Sequence, residues 1–462
     1  MPETAAHPYI PNSVPEIKRA MLSAIGVESA DELYASIPAH LRLNRVLDLP
    51  PAMRSEAELR RFLGAMLGRN GSCASMLSFL GGGCWQHDVP AVCEEIANRA
   101  EFVTAYYGET YTDHGKLQAL FEYASLLGEL VECDAVSMPT YDWAAAAATS
   151  ICMAARITGR SVALVPSSTS PERLSVIEGY CRPWVAVETV PFEESTGLLD
   201  VNALRSALSP ETACVYLETP GFLGTIETRA AEIAALAHEE GALAIVGVDP
   251  ISLGVLEAPP RYGADIVCGE LQPLGIPMHF GGGLAGFVAS RDSEEYVSEY
   301  PTFLIGLEQT AQGEYGFGEV TWERTSYVQR DASREYAGTT QFLWAIAAGV
   351  YLALMGPHGM AEIGQTIMQR SQYAAAKLGE LPGVRCPALA GLFFKELVVD
   401  LGETGTTVAE ANRALRAADI FGGRDLSRDF PDLGQSMLVC VTEVHTKADI
   451  DRLAEALGEA VA

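Results

Sequence analysis

Apolar and polar positions form blocks along this chain that predict strands joined by helices. Between residues 71 and 335, six short runs are apolar throughout, which is typical of strands buried on both faces. Helical runs such as 230–240 separate them. We therefore expect an α/β fold whose mostly parallel sheet is covered by helices. The predicted strands are 161–165, 184–189, 213–218, 243–249, 265–268 and 286–289.

The first 70 residues show a different pattern. Proline-punctuated segments alternate with short amphipathic helices at 14–25 and 57–67, and little of the stretch is typical of strands. The apolar faces of these helices need another surface to bury them. Residues 1–70 are therefore predicted to form an N-terminal arm, and the protein to be an obligate oligomer.

The C-terminal part predicts a small α+β domain. A helix at 339–354 is closed by Gly356-Pro357 and followed by a second helix at 360–378. Short strands at 393–399 and 436–442 and a terminal helix at 448–460 complete it. The expected organisation is an arm (1–70), a large domain (71–335) and a small domain (336–462).

Charge and cysteine usage narrow the class of protein. The formal net charge of −29 disfavours nucleic-acid binding, because a phosphate backbone is held mainly by Lys and Arg. The ten cysteines are scattered without paired spacing, which is typical of reduced thiols. No apolar run approaches the length of a membrane span. We expect a soluble cytoplasmic protein with no membrane partner.

The stretch 262–290 carries the strongest chemical signal. An apolar strand, a polar turn and a glycine-rich return are typical of the way fold-type-I pyridoxal phosphate (PLP) enzymes present their Schiff-base lysine. Here the turn carries Gln272, whose amide cannot form an imine. The chain has five lysines, and none falls between the second and the third. They are Lys18, Lys116, Lys377, Lys395 and Lys447.

The same turn resembles a known family. Residues 269–277 read Gly-Glu-Leu-Gln-Pro-Leu-Gly-Ile-Pro. In the non-catalytic alpha subunit of the two-subunit glycine decarboxylase, the P-protein of the glycine cleavage system, the corresponding residues are Gly-Glu-Gly-Gln-Pro-Leu-Gly-Ile-Pro. Further matches in the same order occur at 9–12, 78–81, 101–106, 117–123, 248–250 and 351–357.

The resemblance implies a PLP-dependent transferase-like fold of type I. It implies a beta-type partner subunit that bears the lysine and the PLP, so that this chain binds none covalently. It also implies a small amino acid as substrate, a lipoyl carrier protein as acceptor, and an arm that packs across subunits. Departures from the family pattern indicate a divergent paralogue.

Ligands of open parallel sheets bind at the carboxyl ends of the strands, so Glu218, Asp249 and Gln272 are expected on one rim. Asp249 has two possible roles. It either pairs with a pyridine nitrogen, as in PLP enzymes, or caps the turn that Pro250 begins. Trp143 stands where the family has a small residue at a phosphate-binding helix N-terminus, and would obstruct that approach.

Two further departures supply titratable groups. Near Gly81-Gly82-Gly83, whose backbone N–H groups are suited to a carboxylate, Cys84 is either a nucleophile with His87 as base or a packing residue. The rewritten stretch 106–115 contains Asp113 and His114, which form either an acid/base pair or part of a drifted surface loop.

Three functions are compatible with these residues. The first is a subunit of a PLP-dependent glycine decarboxylase, or of a paralogue acting on a related amino acid, that uses a partner's lysine. The second is a repurposed PLP-independent homo-oligomeric enzyme that uses Cys84, His87, Asp113 and His114. The third is a non-catalytic scaffold or regulatory subunit. The family resemblance favours the first.

Overall fold

The computed structural model describes residues 9–10, 14–45, 47–103, 114–320, 324–326, 333–334 and 341–462, without the side chains of 114 and 115. The chain divides into two compact units, 1–71 and 72–462. The predicted arm corresponds to the first unit. The predicted boundary near residue 335 falls inside the second.

The described residues of the first unit form three α-helices, α1 (Pro15–Ile25), α2 (Ala30–Leu33) and α3 (Glu56–Leu67). Proline in the first turn of α1 and left-handed Gly26 after its end set its limits. The side chain of Ser55 caps α3. The two amphipathic helices predicted for this segment are thus present, and neither buries a residue.

The central part of the second unit alternates strands and helices, as predicted. In chain order the elements are β1 (Leu77–Ser78), α4 (Ala91–Ala97), α5 (Ala100–Val103), α6 (His114–Val131), β2 (Ala135–Val136), α7 (Trp143–Thr158), β3 (Val162–Pro166), α8 (Pro171–Cys181), β4 (Ala186–Val190), α9 (Val201–Ala207), β5 (Thr212–Glu218), α10 (Ala230–Glu239), β6 (Leu243–Val248), β7 (Ile266–Glu270), β8 (Gly286–Ser290), α11 (Glu294–Val297), β9 (Ile305–Gln309) and β10 (Tyr315–Glu319).

A seven-stranded sheet organises this part, in the order β2-β8-β7-β6-β5-β3-β4. Strands β3 to β7 run parallel, whereas β8 is antiparallel to β7 and β2 is antiparallel to β8. The buried helix α7 packs against β5 to β8. Every residue of β5 and β7 is buried, because helices cover both faces. The predicted fold class is confirmed.

The C-terminal part begins with a long helix that breaks at Gly356, where φ is 57° and ψ is −177°, next to Pro357. The predicted break between two helices is therefore present. The elements are α12 (Phe342–Gly379), β11 (Glu396–Asp400), α13 (Val408–Ala417), β12 (Ile420–Phe421), β13 (Arg424–Asp425), β14 (Ser436–Cys440) and α14 (Lys447–Val461). Strands β11, β14 and β13 form an antiparallel sheet.

Helix α12 is, among the described helices, the one whose length and mean hydropathy of 1.3 would suffice to span a membrane. It packs against α4 and α6, and its inner face contributes Ala345, Ala348 and Tyr351 to the main core. The break at Gly356 and this packing are those of a core helix.

Several contacts tie the segment after residue 72 to the C-terminal part. Strand β1 pairs in parallel with β12. Further along, the hydroxyl of Thr442 donates to the carbonyl of Gln86 at 2.6 Å. The loop 79–90 is thereby held close to the ends of β11 and β14, opposite the rim of the large sheet.

Candidate functional site

The carboxyl ends of β5, β6 and β7 carry Glu218, Asp249 and Gln272, as the strand pattern predicted. Glu218 and Asp249 line one small cavity together with Trp143 and Lys395. All four side chains are buried. This cavity is the candidate functional site.

Of its two predicted roles, Asp249 performs the turn cap, and its carboxylate also contacts a lysine of the same chain that the sequence analysis did not single out. One carboxylate oxygen accepts the N–H of Ile251 at 3.1 Å and caps the short helix Pro250–Gly254. The other lies 2.6 Å from Nζ of Lys395, off the line of a hydrogen bond. The pair is almost fully enclosed, with side-chain exposures of 4% and 3%. A cation therefore sits against Asp249, and it belongs to this chain.

Lys395 was not among the candidate site residues. Its Nζ lies 3.1 Å from Nε2 of His87 and 3.5 Å from the centre of the Trp85 ring, which is close enough for a cation–π interaction. The sequence offers one signal for this role, a charged pair, Lys395-Glu396, inside an otherwise apolar run. Charged residues in such a run are buried only when they are paired.

His87 connects Lys395 to Glu443. An ammonium only donates hydrogen bonds, so Nε2 of His87 accepts from Lys395 and Nδ1 carries the proton. Nδ1–H then donates to Glu443 at 2.8 Å, and the second Glu443 oxygen accepts the N–H of Asp88 at 2.7 Å. Burial acts to raise the pKa of Glu443, but attraction to the His87 ring and these hydrogen bonds lower it to about 2.

The lowered pKa of Glu443 predicts a loss of acid stability. Its folded-state pKa lies below the value of 4.5 for an unperturbed glutamate, so its contribution is fully present above about pH 4.5 and is lost as pH falls through about 2. The difference corresponds to about 3 kcal/mol. We expect Glu443→Gln to destabilise the protein at pH 7 by about 2–3 kcal/mol. Urea unfolding between pH 7 and pH 2.5 measures both effects.

The exposed Glu403→Gln is the matched control and should change neither the stability nor its pH dependence. An acid profile of Glu443→Gln that stays parallel to wild type down to pH 2.5 would contradict the assigned hydrogen bond between His87 and Glu443.

Gln272 serves as a clamp between backbone segments. Its Oε1 accepts the N–H of Trp85, and its Nε2 donates to the carbonyls of Trp85 and Ile276, each at 3.0 Å. The side chain is 1% exposed. The side-chain amide of Gln272 is thus hydrogen-bonded to backbone groups of its own chain.

Glu270 ties the same turn to the start of α7. Its carboxylate accepts the N–H groups of Trp143, Gln272 and Ala285 at 3.1, 3.1 and 2.8 Å. Burial nevertheless raises the pKa of Glu270 to about 8, although the N–H donors favour the charged form. The first N–H of α7 is thus satisfied by a side chain.

Trp143 lies inside the fold. Its ring packs against β6, where a Cβ at Gly247 would come within 2.8 Å of the indole nitrogen. That nitrogen donates to the Tyr216 hydroxyl at 3.1 Å, which donates to Glu218 at 2.8 Å. The guanidinium of Arg173 lies 3.8 Å from the Trp143 ring centre and pairs with Glu218 at 2.5 Å. An aromatic ring and an ion pair occupy this side of the cavity.

One glycine of the 81–83 run binds a carboxylate through its backbone N–H, and that carboxylate is the chain's own Glu396. The N–H of Gly82 donates to Oε1 of Glu396 at 2.6 Å. A Cβ on Gly81 would lie 2.1 Å from the same oxygen and 2.8 Å from the Cβ of Cys440, so a side chain there would displace both neighbours. Gly82 and Gly83 have φ values of 87° and 117°, which also favour glycine.

Cys84 and His87 are not arranged as a nucleophile and its base. Both ring nitrogens of His87 contact other residues, and the Cys84 sulfur lies 3.9 Å from the carbonyl of Met278. Burial, with a smaller effect of Glu270, raises the pKa of Cys84 to about 11. A thiol in this state is a poor nucleophile at neutral pH.

Asp113 lies outside the described residues, as does the rewritten loop from 106 to 113. His114 is the first residue of α6, and its side chain is likewise outside the description. The predicted acid/base pair remains a prediction.

The cavity does not fit PLP. Its volume is about 20 Å³, which holds about one water molecule, whereas pockets for small ligands span hundreds of cubic ångströms. Lys395 stands against Asp249, and Trp143 with Arg173 fills the adjoining space. The residues that line this cavity therefore leave no room for PLP.

Comparisons with solved structures define the class of fold. A glycine decarboxylase (P-protein) of the glycine cleavage system, in inhibitor-bound form, superposes with a TM-score of 0.82 at 32% identity, covering 99% of this chain and 100% of that one. A sphingosine-1-phosphate lyase from Burkholderia pseudomallei shares the fold, with a TM-score of 0.63 at 15% identity, covering 93% and 94% of the two chains. The fold is that of the type-I PLP-dependent enzymes.

Sequence comparisons give the family. The family model for the glycine cleavage system P-protein matches residues 7–457. Probable glycine dehydrogenase (decarboxylating) subunit 1 of Staphylothermus marinus is 37% identical, covering 99% of this chain and 98% of the relative. The corresponding protein of Pyrococcus abyssi is 37% identical over 98% and 99%. The chain belongs to the glycine cleavage system P-protein family, which confirms the family predicted from its sequence.

Proposed function

We propose that this chain is the lysine-less subunit of a decarboxylating glycine dehydrogenase and that a partner subunit supplies the PLP and its Schiff-base lysine. The observation that carries the proposal is the site itself. Gln272 occupies the turn where a lysine would stand and is fully engaged with the backbone of its own chain. The relatives' designation as subunit 1 supports a second subunit.

The first unit of the chain supports a partner as well. Helix α1 exposes Ile17, Met21 and Ile25, spaced four residues apart on one face. Helix α3 exposes Phe62 and Met66 in the same way. Exposed apolar faces of this kind are stabilised when another chain covers them. We assign that role to the lysine-bearing subunit.

In this proposal the chain acts on a small amino acid only as part of the assembly, and a lipoyl carrier protein receives the product carbon. The assembly functions in the cytoplasm. The ten cysteines support that compartment, because all are free thiols.

Reconstitution tests the proposal. The chain, the lysine-bearing subunit from the same source and their mixture are assayed for CO₂ release from carboxyl-labelled glycine, with PLP and a lipoyl carrier protein present. We expect release from the mixture, and only background from this chain alone. The matched control is the mixture in which the partner's Schiff-base lysine is replaced by alanine, which should be inactive.

Other outcomes select the other functions. Turnover by this chain alone would favour a homo-oligomeric enzyme and contradict the proposal. Full activity of the partner without this chain would favour a scaffold or regulatory subunit. Co-elution of the two chains, measured separately, reports assembly independently of activity.

A further inference from the structure

Two adjacent residues, Lys395 and Glu396, place opposite charges into the candidate site at the point where β11 begins. Both side chains are buried. The ammonium contacts Asp249, and the carboxylate contacts the N–H of Gly82. Each charge thus meets a group of a kind that binds charged ligands in other proteins.

The Lys395 ammonium occupies the space beside the Asp249 carboxylate and contacts three groups there. Nζ of Lys395 is 2.6 Å from the carboxylate, 3.1 Å from His87 and 3.5 Å from the Trp85 ring centre. Fold-type-I enzymes use an aspartate at this strand end to hold a protonated pyridine nitrogen. In this chain a lysine ammonium supplies the positive charge that the aspartate requires.

The Glu396 carboxylate occupies the space beside Gly81 and Gly82. Glu396 Oε1 is 2.6 Å from the Gly82 nitrogen and occupies the space that a side chain at residue 81 would need. The positive charge of Lys395 acts to lower the pKa of Glu396, but burial has the larger effect and raises it. The neighbouring Gly224 approaches the backbone of Glu396 so closely that a Cβ would lie 1.9 Å from its carbonyl oxygen. The start of β11 is thus fitted into the site by backbone as well as by side chains.

We propose that Lys395 and Glu396 form an internal plug that replaces the ligands of an ancestral cofactor site. The Lys395 ammonium takes the place of a pyridinium at Asp249, and the Glu396 carboxylate takes the place of an anionic ligand at Gly82. The plug closes the site to PLP and joins the C-terminal sheet to the rim of the large sheet. It does not depend on the proposed function, because it concerns the chain alone.

Wild-type protein provides the first test. Native full-length chain is incubated with PLP, reduced with borohydride and mapped by mass spectrometry, beside a sample treated in urea. We expect Lys395 to be unlabelled in the native chain and labelled in urea, whereas Lys447, whose side chain is 74% exposed, is labelled in both. A stoichiometric label on native Lys395 would overturn the plug.

A double-mutant cycle provides the second test. Lys395→Met or Asp249→Asn alone leaves one buried charge without its partner, and should raise the unfolding equilibrium constant roughly 10²- to 10³-fold. The double variant should show far less than the product of the two effects. Lys447→Met, which breaks the exposed pair with Asp451, is the matched control and should change the constant less than about 10-fold. Multiplicative single effects would refute the pairing. If a single variant does not fold, the labelling experiment alone decides.

Discussion

Replacing Gln272 with alanine is expected to destabilise the native state by about 3–5 kcal/mol, because an unsatisfied buried polar group costs about 1–3 kcal/mol. The substitution leaves the N–H and C=O of Trp85 and the C=O of Ile276 without their buried partner. Urea unfolding followed by circular dichroism measures the loss. In the reconstituted assembly, the activity should fall only in proportion to the fraction of this chain that is unfolded.

One variant at residue 272 separates hydrogen bonding from packing, and a second variant at an exposed glutamine is its control. Gln272→Glu keeps the size and the acceptor for Trp85 but turns a carboxylate oxygen toward two carbonyls, so it should be at least as destabilising as alanine. Gln118→Ala removes an exposed glutamine that bonds Glu122 at 2.9 Å, and should cost less than about 0.5 kcal/mol. If Gln272→Glu is as stable as wild type, the clamp is wrong.

The sheet and its rim were predictable because they depend on local patterns. Runs that are apolar throughout gave the strands of a buried parallel sheet, and the carboxyl ends of those strands placed Glu218, Asp249 and Gln272 together. The glycine-proline break at Gly356 was likewise a local signal. The short edge strand β2 and the hairpin β9–β10 were not predicted, since two-residue strands and exposed hairpins carry weak hydrophobic periodicity.

The occupants of the site were harder to predict, because their contacts join distant parts of the chain. Lys395 and His87 are separated by 308 residues, and Gln272 and Trp85 by 187. The sequence shows the charged pair Lys395-Glu396 in an apolar run, but it does not show which groups contact these two charges. Trp143 was expected to obstruct a helix N-terminus; its contacts with Gly247 of β6 and with Arg173 beside the cavity could not be inferred from that position. Local sequence patterns do not show which side chains far apart in the chain will contact each other.

The second large loss of stability is expected when the buried ion pair between Arg173 and Glu218, beside Trp143, is broken. Arg173→Met should destabilise the protein by about 3–5 kcal/mol, because it removes the cation from a buried carboxylate. Arg173 and Glu218 have side-chain exposures of 7% and 3%, and their contact is 2.5 Å. After the substitution Glu218 keeps only the Tyr216 hydroxyl among these partners. Methionine preserves much of the length and packing of arginine against Trp143, so the loss reports mainly the charge.

Adding Glu218→Gln to Arg173→Met tests that interpretation. A neutral amide no longer requires the guanidinium, so the double variant should recover a large part of the lost stability. Arg205→Met breaks an exposed pair with Glu232, whose side-chain exposures are 57% and 51%, and should cost less than about 1 kcal/mol. A double variant less stable than Arg173→Met would show that Arg173 stabilises the fold by stacking on Trp143 rather than by neutralising Glu218. Recovery would show that charge neutralisation between β5 and α8 stabilises this wall of the closed site.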